Sequence, residues 1–181
     1  MKKKNPYDLP GELIRKYRSN DPFYIADMMK ITVMMRSDFS RQKGAFVVVL
    51  GNAFIMLNDS LSRQMQRIVC AHELGHVLLH RRFFRQKQAA AICETILFDM
   101  KDPTEREANI FAAGLLIDDR EMLEYLRRGY SLFETAQAMD TNVNLLSIRV
   151  NAMRDRMEYP ENIPCIPCND FLGTIGDNAG Y

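Results

Sequence analysis

A chain of 181 residues suits one domain, or one domain with a small appendage, and an apolar fraction of 47% is enough for a packed core. Lys and Arg number 24 against 23 Asp and Glu, so a formal net charge of +1 argues neither for nor against nucleic acid or a membrane surface. No apolar run reaches the roughly eighteen residues that cross a bilayer, and the basic start Lys2-Lys3-Lys4 lacks the apolar stretch of a signal peptide; the reading is cytoplasmic, with no membrane partner.

In chain order, Leu9 to Tyr17 reads as a short helix. Asp21 can cap a second, with Pro22 at its first position and Phe23, Ile25, Ala26 and Met29 on its apolar face. Ile31 to Met35 is β-prone. The apolar runs Ala45 to Leu50 and Ala53 to Leu57, split by the turn pair Gly51-Asn52, predict a hairpin. Asn58-Asp59-Ser60 offers caps for a long helix from about Ser60 to about Arg81, in which Leu61, Met65, Ile68 and Val69 recur at helical spacing. Residues 82–101 are less regular; Ala89-Ala90-Ala91 starts a short helix or lies in a loop. Asp102 and Pro103 open a helix through Leu116. Asp119 to Arg128 is helical and ends at Gly129. Ser131 and Glu134 form a capping box for a helix to Met139, and Asn142 or Asn144 caps a last helix through Met157. From Tyr159 to Tyr181 the chain is rich in Pro, Gly and Asn and is expected to be irregular. Cys70, Cys93, Cys165 and Cys168 show no disulfide framework, and the Cys165–Cys168 pair lacks the second pair of a zinc knuckle; free thiols are expected. The twelve methionines fall mostly at core spacing.

The long helix carries His72-Glu73-Leu74-Gly75-His76. Residues four apart on a helix share a face, so two imidazoles can reach one metal ion, with Glu73 placed to act on a water. All three histidines of the chain lie in this helix, at 72, 76 and 80. His80 stands two turns from His72, roughly 11 Å of rise, too far to share an ion bound at about 2 Å. It is read as a helix-end or packing residue. Cys70 points away from that face. A catalytic site needs a third protein ligand, which must then be a carboxylate downstream. Glu105 and Glu107 are the candidates. Glu105 is preferred because it shares a face with Ala108, Asn109 and Ala112, a small-residue stripe able to press on the first helix; Glu107 is the second choice. Asn109, one turn along, could hydrogen-bond a ligating imidazole.

His72 to His80, followed by Glu105-Arg106-Glu107-Ala108-Asn109-Ile110-Phe111-Ala112-Ala113, resembles the ImmA/IrrE metallopeptidases, a likeness that runs from about residue 13 to 155. Gly114 and Asp118-Asp119 depart from the usual pattern. The resemblance implies an α+β zincin-like domain: a short sheet and hairpin packed on helices carrying HExxH and a downstream ExxAN, with a helical C-terminal part. It places that metallopeptidase domain at 1–128, a helical subdomain packed on it at 129–158 and an irregular tail at 159–181. It further implies one zinc ion on His72, His76 and Glu105, and cleavage of a helix-turn-helix repressor of a phage or conjugative element. Glu73 is the expected general base. With no histidine left for the oxyanion, a tyrosine such as Tyr125 or Tyr130, an arginine, or no protein group serves, and the residues do not decide among them. The rival is a non-enzymatic regulator that binds repressor or DNA. Ser131 to Arg156 has a helix-turn-helix outline, with Arg149, Asn151 and Arg154 as its few base-reading candidates. The domain is not basic, so packing is the preferred role and direct DNA binding is not expected.

Overall fold

The computed structural model describes residues 4–86, 97–161 and 163, with backbone alone for 81–86. The expected turn or helix at Ala89–Ala91, the thiols of Cys93, Cys165 and Cys168, and most of the tail lie outside these residues. The described chain is α+β, with three strands and seven helices in the order α1 (Leu9–Tyr17), α2 (Pro22–Met28), β1 (Thr32–Arg36), β2 (Gly44–Val49), β3 (Asn52–Asn58), α3 (Arg63–Gln86), α4 (Pro103–Leu116), α5 (Asp119–Arg127), α6 (Leu132–Ala138) and α7 (Val143–Asp155). It divides into two compact units, residues 1–116 and 117–181. No helix among the described residues is long and apolar enough to cross a membrane.

In the first unit the sheet order is β1-β3-β2. β2 and β3 pair antiparallel as the expected hairpin, with Val49 opposite Asn52. The two turn residues are therefore Leu50 and Gly51, one position earlier than expected. Both are left-handed, at φ 48 and φ 83. That is the turn whose twist matches a hairpin, and Asn52 is taken into β3. β1 joins β3 in parallel, Thr32 against Phe54. This pairing needs a crossover, and the alternation of residues does not reveal it.

α3 is the central element, packed against α2, α4 and the sheet. Residues 68–77 are buried without a break, so this stretch is enclosed on every side. The helix begins three residues later than expected. Asn58 does not cap it. Its side chain accepts from the backbone and hydroxyl of Ser60 and donates to the carbonyls of Phe39 and Gln42, which ties the incoming loop. Ser62 takes the capping role, accepting from Met65 N–H at 3.3 Å. The helix also runs on to Gln86, so His80 lies inside it rather than at its end.

The second unit is built on local signals. Asp118 caps α5, Ser131 and Glu134 form the capping box of α6, and Asn142 caps α7. α7 contributes more of the core than any other helix of this unit, with Leu145, Leu146, Ile148, Val150, Ala152 and Met153 buried. Arg149 is held by Asp119 through two bonds of 2.6 Å.

Leu50 is 97% exposed yet occupies a conformation that a side chain with Cβ disfavours. Leu50→Asn creates an Asn-Gly turn and should stabilise the protein by roughly 0.5–1 kcal/mol. An unchanged or lowered urea midpoint would contradict this account of the hairpin.

Candidate metal centre

The centre is assembled where α3 crosses α4. Gly75, between the two histidines, allows the close approach. A Cβ there would meet Phe111 Cδ1 at 3.0 Å, Ala108 Cα at 3.2 Å and the Ala108 carbonyl at 3.3 Å. A glycine inside a helix costs about 1 kcal/mol relative to alanine, and here that cost is offset by the contact it permits. Ala108 supplies the small partner surface. Asp102 fixes the start of α4 by accepting from the backbones of Thr104 and Glu105, which sets Glu105 in its first turn.

His72 and His76 leave the same face of α3. Their rings meet edge to face at 4.7 Å and their Nε2 atoms lie 3.0 Å apart. One oxygen of Glu105 is 3.1 Å from His72 Nε2 and the other is 3.2 Å from His76 Nε2. Its carboxylate thus faces the imidazoles instead of turning back onto Asp102. Both histidines are buried and Glu105 is partly so. Glu107, the second candidate, stands apart from this cluster; its carboxylate lies 3.7 Å from His80 Nε2.

Asn109 sets the state of His72. Its Nδ2 donates to the Asp99 carbonyl at 2.9 Å, which turns Oδ1 toward His72 Nδ1 at 2.8 Å. An amide oxygen only accepts, so Nδ1 carries the proton, and in the neutral ring Nε2 presents a lone pair. Burial acts to raise the pKa of Glu105, but where the imidazoles carry protons on Nε2 their hydrogen bonds and charge outweigh it and lower the value to about 2. The carboxylate is therefore ionised at neutral pH. Two imidazole nitrogens and an ionised carboxylate converge within 3.2 Å in a buried place. Such an acceptor cluster fits a divalent cation: tetrahedral ligands at about 2 Å from an ion lie about 3.3 Å apart. The residues present thus suit a metal ion.

Glu73 is fully buried beside this cluster. The backbone of Gly44 lies against it: a Cβ on Gly44 would come within 3.1 Å of Glu73 Oε1 and 2.3 Å of Val69 Cγ1. Phe46, two residues along the same strand face, stacks on His76 with centroids 5.7 Å apart and planes 13° from parallel. Neither Gly44 nor Phe46 stood out in the sequence. The available signal was the glycine opening an apolar strand, which marks close backbone approach. Cys70 is buried, and burial, with Asp21 and Glu73 nearby, pushes its thiol pKa well up. Tyr125 and Tyr130 belong to the second unit, ring against ring at 5.4 Å.

Residues 26–151, which span every side chain of this cluster, match a peptidase family described as the IrrE N-terminal-like domain. Immunity region protein 2 of Bacillus phage phi105, an uncharacterized protein, is 31% identical over 140 residues, covering 75% of this chain and 85% of its own. The metallopeptidase ImmA of Bacillus subtilis strain 168 is 31% identical over 116 residues, 63% of this chain and 64% of that protein.

Glu105→Ala should abolish uptake of one divalent ion per chain while Glu107→Ala keeps it, as read by elemental analysis; the reverse result would move the ligand to position 107. Gly75→Ala should force α4 outward, weaken metal binding at least about tenfold and cost roughly 1–3 kcal/mol of stability. Unaltered affinity and melting temperature would contradict the close-approach account.

Proposed function

The chain belongs to the ImmA/IrrE family through its IrrE N-terminal-like domain, and from that premise we propose that it is a zinc-dependent peptidase that hydrolyses one bond in a specific partner protein. The observation that carries the proposal is the convergence of His72, His76 and Glu105, with Glu73 fully buried next to His72 on the same helix. Those three side chains would hold zinc with a net local charge of about +1, and the ion would supply Lewis acidity for a scissile carbonyl and a water.

The protein's own groups do the remainder. Glu73 accepts a proton from the attacking water as the new C–O bond forms, and gives it to the amine nitrogen as the C–N bond breaks. Its burial against the Gly44 backbone restrains the carboxylate for both transfers. Asn109 keeps His72 in the tautomer that ligates. Phe46 packs flat on His76 and limits rotation of that ring.

For the substrate we propose a helix-turn-helix repressor encoded on a phage or conjugative element. The names of the two relatives, an immunity region protein and the metallopeptidase ImmA, support this class. The rival reading, direct DNA recognition by α6 and α7, has little support. A recognition helix must expose one face to a groove, and α7 is largely core. Arg149 is already bound through both Nε and Nη2 to Asp119.

Co-expression with the repressor of the same element, followed by mass analysis of the fragments, tests the reading. Wild type is expected to yield two pieces. Glu73→Gln should retain its zinc and lose cleavage by at least about 10³-fold, within the range a positioned acid–base group contributes. Full-rate cleavage by Glu73→Gln would remove Glu73 from the mechanism.

A further inference from the structure

Six non-glycine residues among those described have positive φ. Arg18, Lys30, Asp140 and Met157 follow the ends of α1, α2, α6 and α7, and Leu50 sits in the hairpin turn. Such positions are ordinary places for left-handed backbone. Phe98, at φ 69, is different: its backbone reaches Asn109, the hydrogen-bond partner of His72. Its N–H donates to Asn109 Oδ1 at 3.4 Å, and the carbonyl of the next residue, Asp99, accepts from Asn109 Nδ2 at 2.9 Å. Two consecutive backbone groups thus grip opposite ends of one amide. The same Oδ1 accepts from His72 Nδ1 at 2.8 Å. Were the amide to rotate by half a turn, Nδ2 would face His72 Nδ1, and the ring would be driven to the tautomer that protonates Nε2.

We propose that the Phe98–Asp99 turn is a positioning element of the metal centre. It holds the Asn109 amide in the one orientation that leaves His72 Nε2 free to ligate. Its contribution depends on the left-handed backbone at Phe98 and not on the phenyl ring. The proposal rests on the zinc reading above. A β-branched residue resists this conformation, whereas glycine adopts it freely and asparagine tolerates it.

The substitutions therefore act in opposite order to hydrophobic size. Phe98→Val keeps apolar bulk but disfavours the turn. Phe98→Gly and Phe98→Asn delete the ring but preserve the turn. Zinc dissociation constants are measured on the full-length, metal-stripped chain by competition with a chromophoric chelator. Phe98→Val should weaken zinc binding by about 10–100-fold, the range for loss of a group that orients a ligand, and Asn109→Ala should match it. Phe98→Gly and Phe98→Asn should stay within about threefold of wild type. Affinity lost in Phe98→Gly and Phe98→Asn overturns the proposal in favour of ring packing, and this comparison stands even where Phe98→Val does not fold. Equal affinity in Phe98→Val and wild type overturns it as well, while leaving the metal centre intact. No zinc uptake by wild type overturns the metal centre and this proposal together.

Discussion

Putting ionisable side chains into the enclosed middle of a helix is the constraint on which the first unit depends. His72, Glu73 and His76 fall within ten consecutive buried residues. Unpaired polar groups in such a place cost several kcal/mol, so the surrounding elements must answer each of them. α4 answers the histidines with Glu105 and Asn109, and can reach them because Gly75 and Ala108 let the helices meet at backbone distance. β2 closes the other side with Gly44 against Glu73 and Phe46 against His76. The small residues are thus as necessary as the ligands. They determine whether the ligands can converge.

The features legible in the sequence are those whose cause is local. Asp21 and Ser131 cap the helices they were expected to cap, and of the pair Asn142 and Asn144 it is Asn142 that caps α7, because a side-chain oxygen two or three residues from a free N–H needs no tertiary partner. The HExxH spacing reports its own geometry for the same reason. The less legible features depend on contacts distant in sequence. Asn58 looks like a helix cap, yet the carbonyls of Phe39 and Gln42 compete for its side chain and take it. The parallel register of β1 on β3 follows from packing of the intervening chain, which leaves no periodic trace. Glu105 and Glu107 could be ranked only by the small-residue stripe around Glu105, and the crossing of α3 over α4 separates them physically: one carboxylate faces the imidazoles, the other faces His80.

The two units show different ways of holding charge. In the second, Arg149 and Asp119 form a two-bond pair at the side of a largely apolar core helix, an arrangement that fixes α5 against α7 without a further partner. In the first, one carboxylate, Glu105, stands between two buried imidazoles at 3.1 and 3.2 Å. Such a convergence of potential ligands fits a cation, whereas Arg149 and Asp119 form a closed ion pair.

The ligands are also unevenly spread along the chain: His72 and His76 share one helix, while Glu105 and Asn109 lie on the next, about thirty residues on. During synthesis the first two ligands and Glu73 emerge from the ribosome well before the third, so a nascent or truncated chain that stops short of α4 carries half a site. Only the docking of α4 brings Glu105 to His72 and His76. The four side chains therefore come together only once the fold of the first unit is nearly complete.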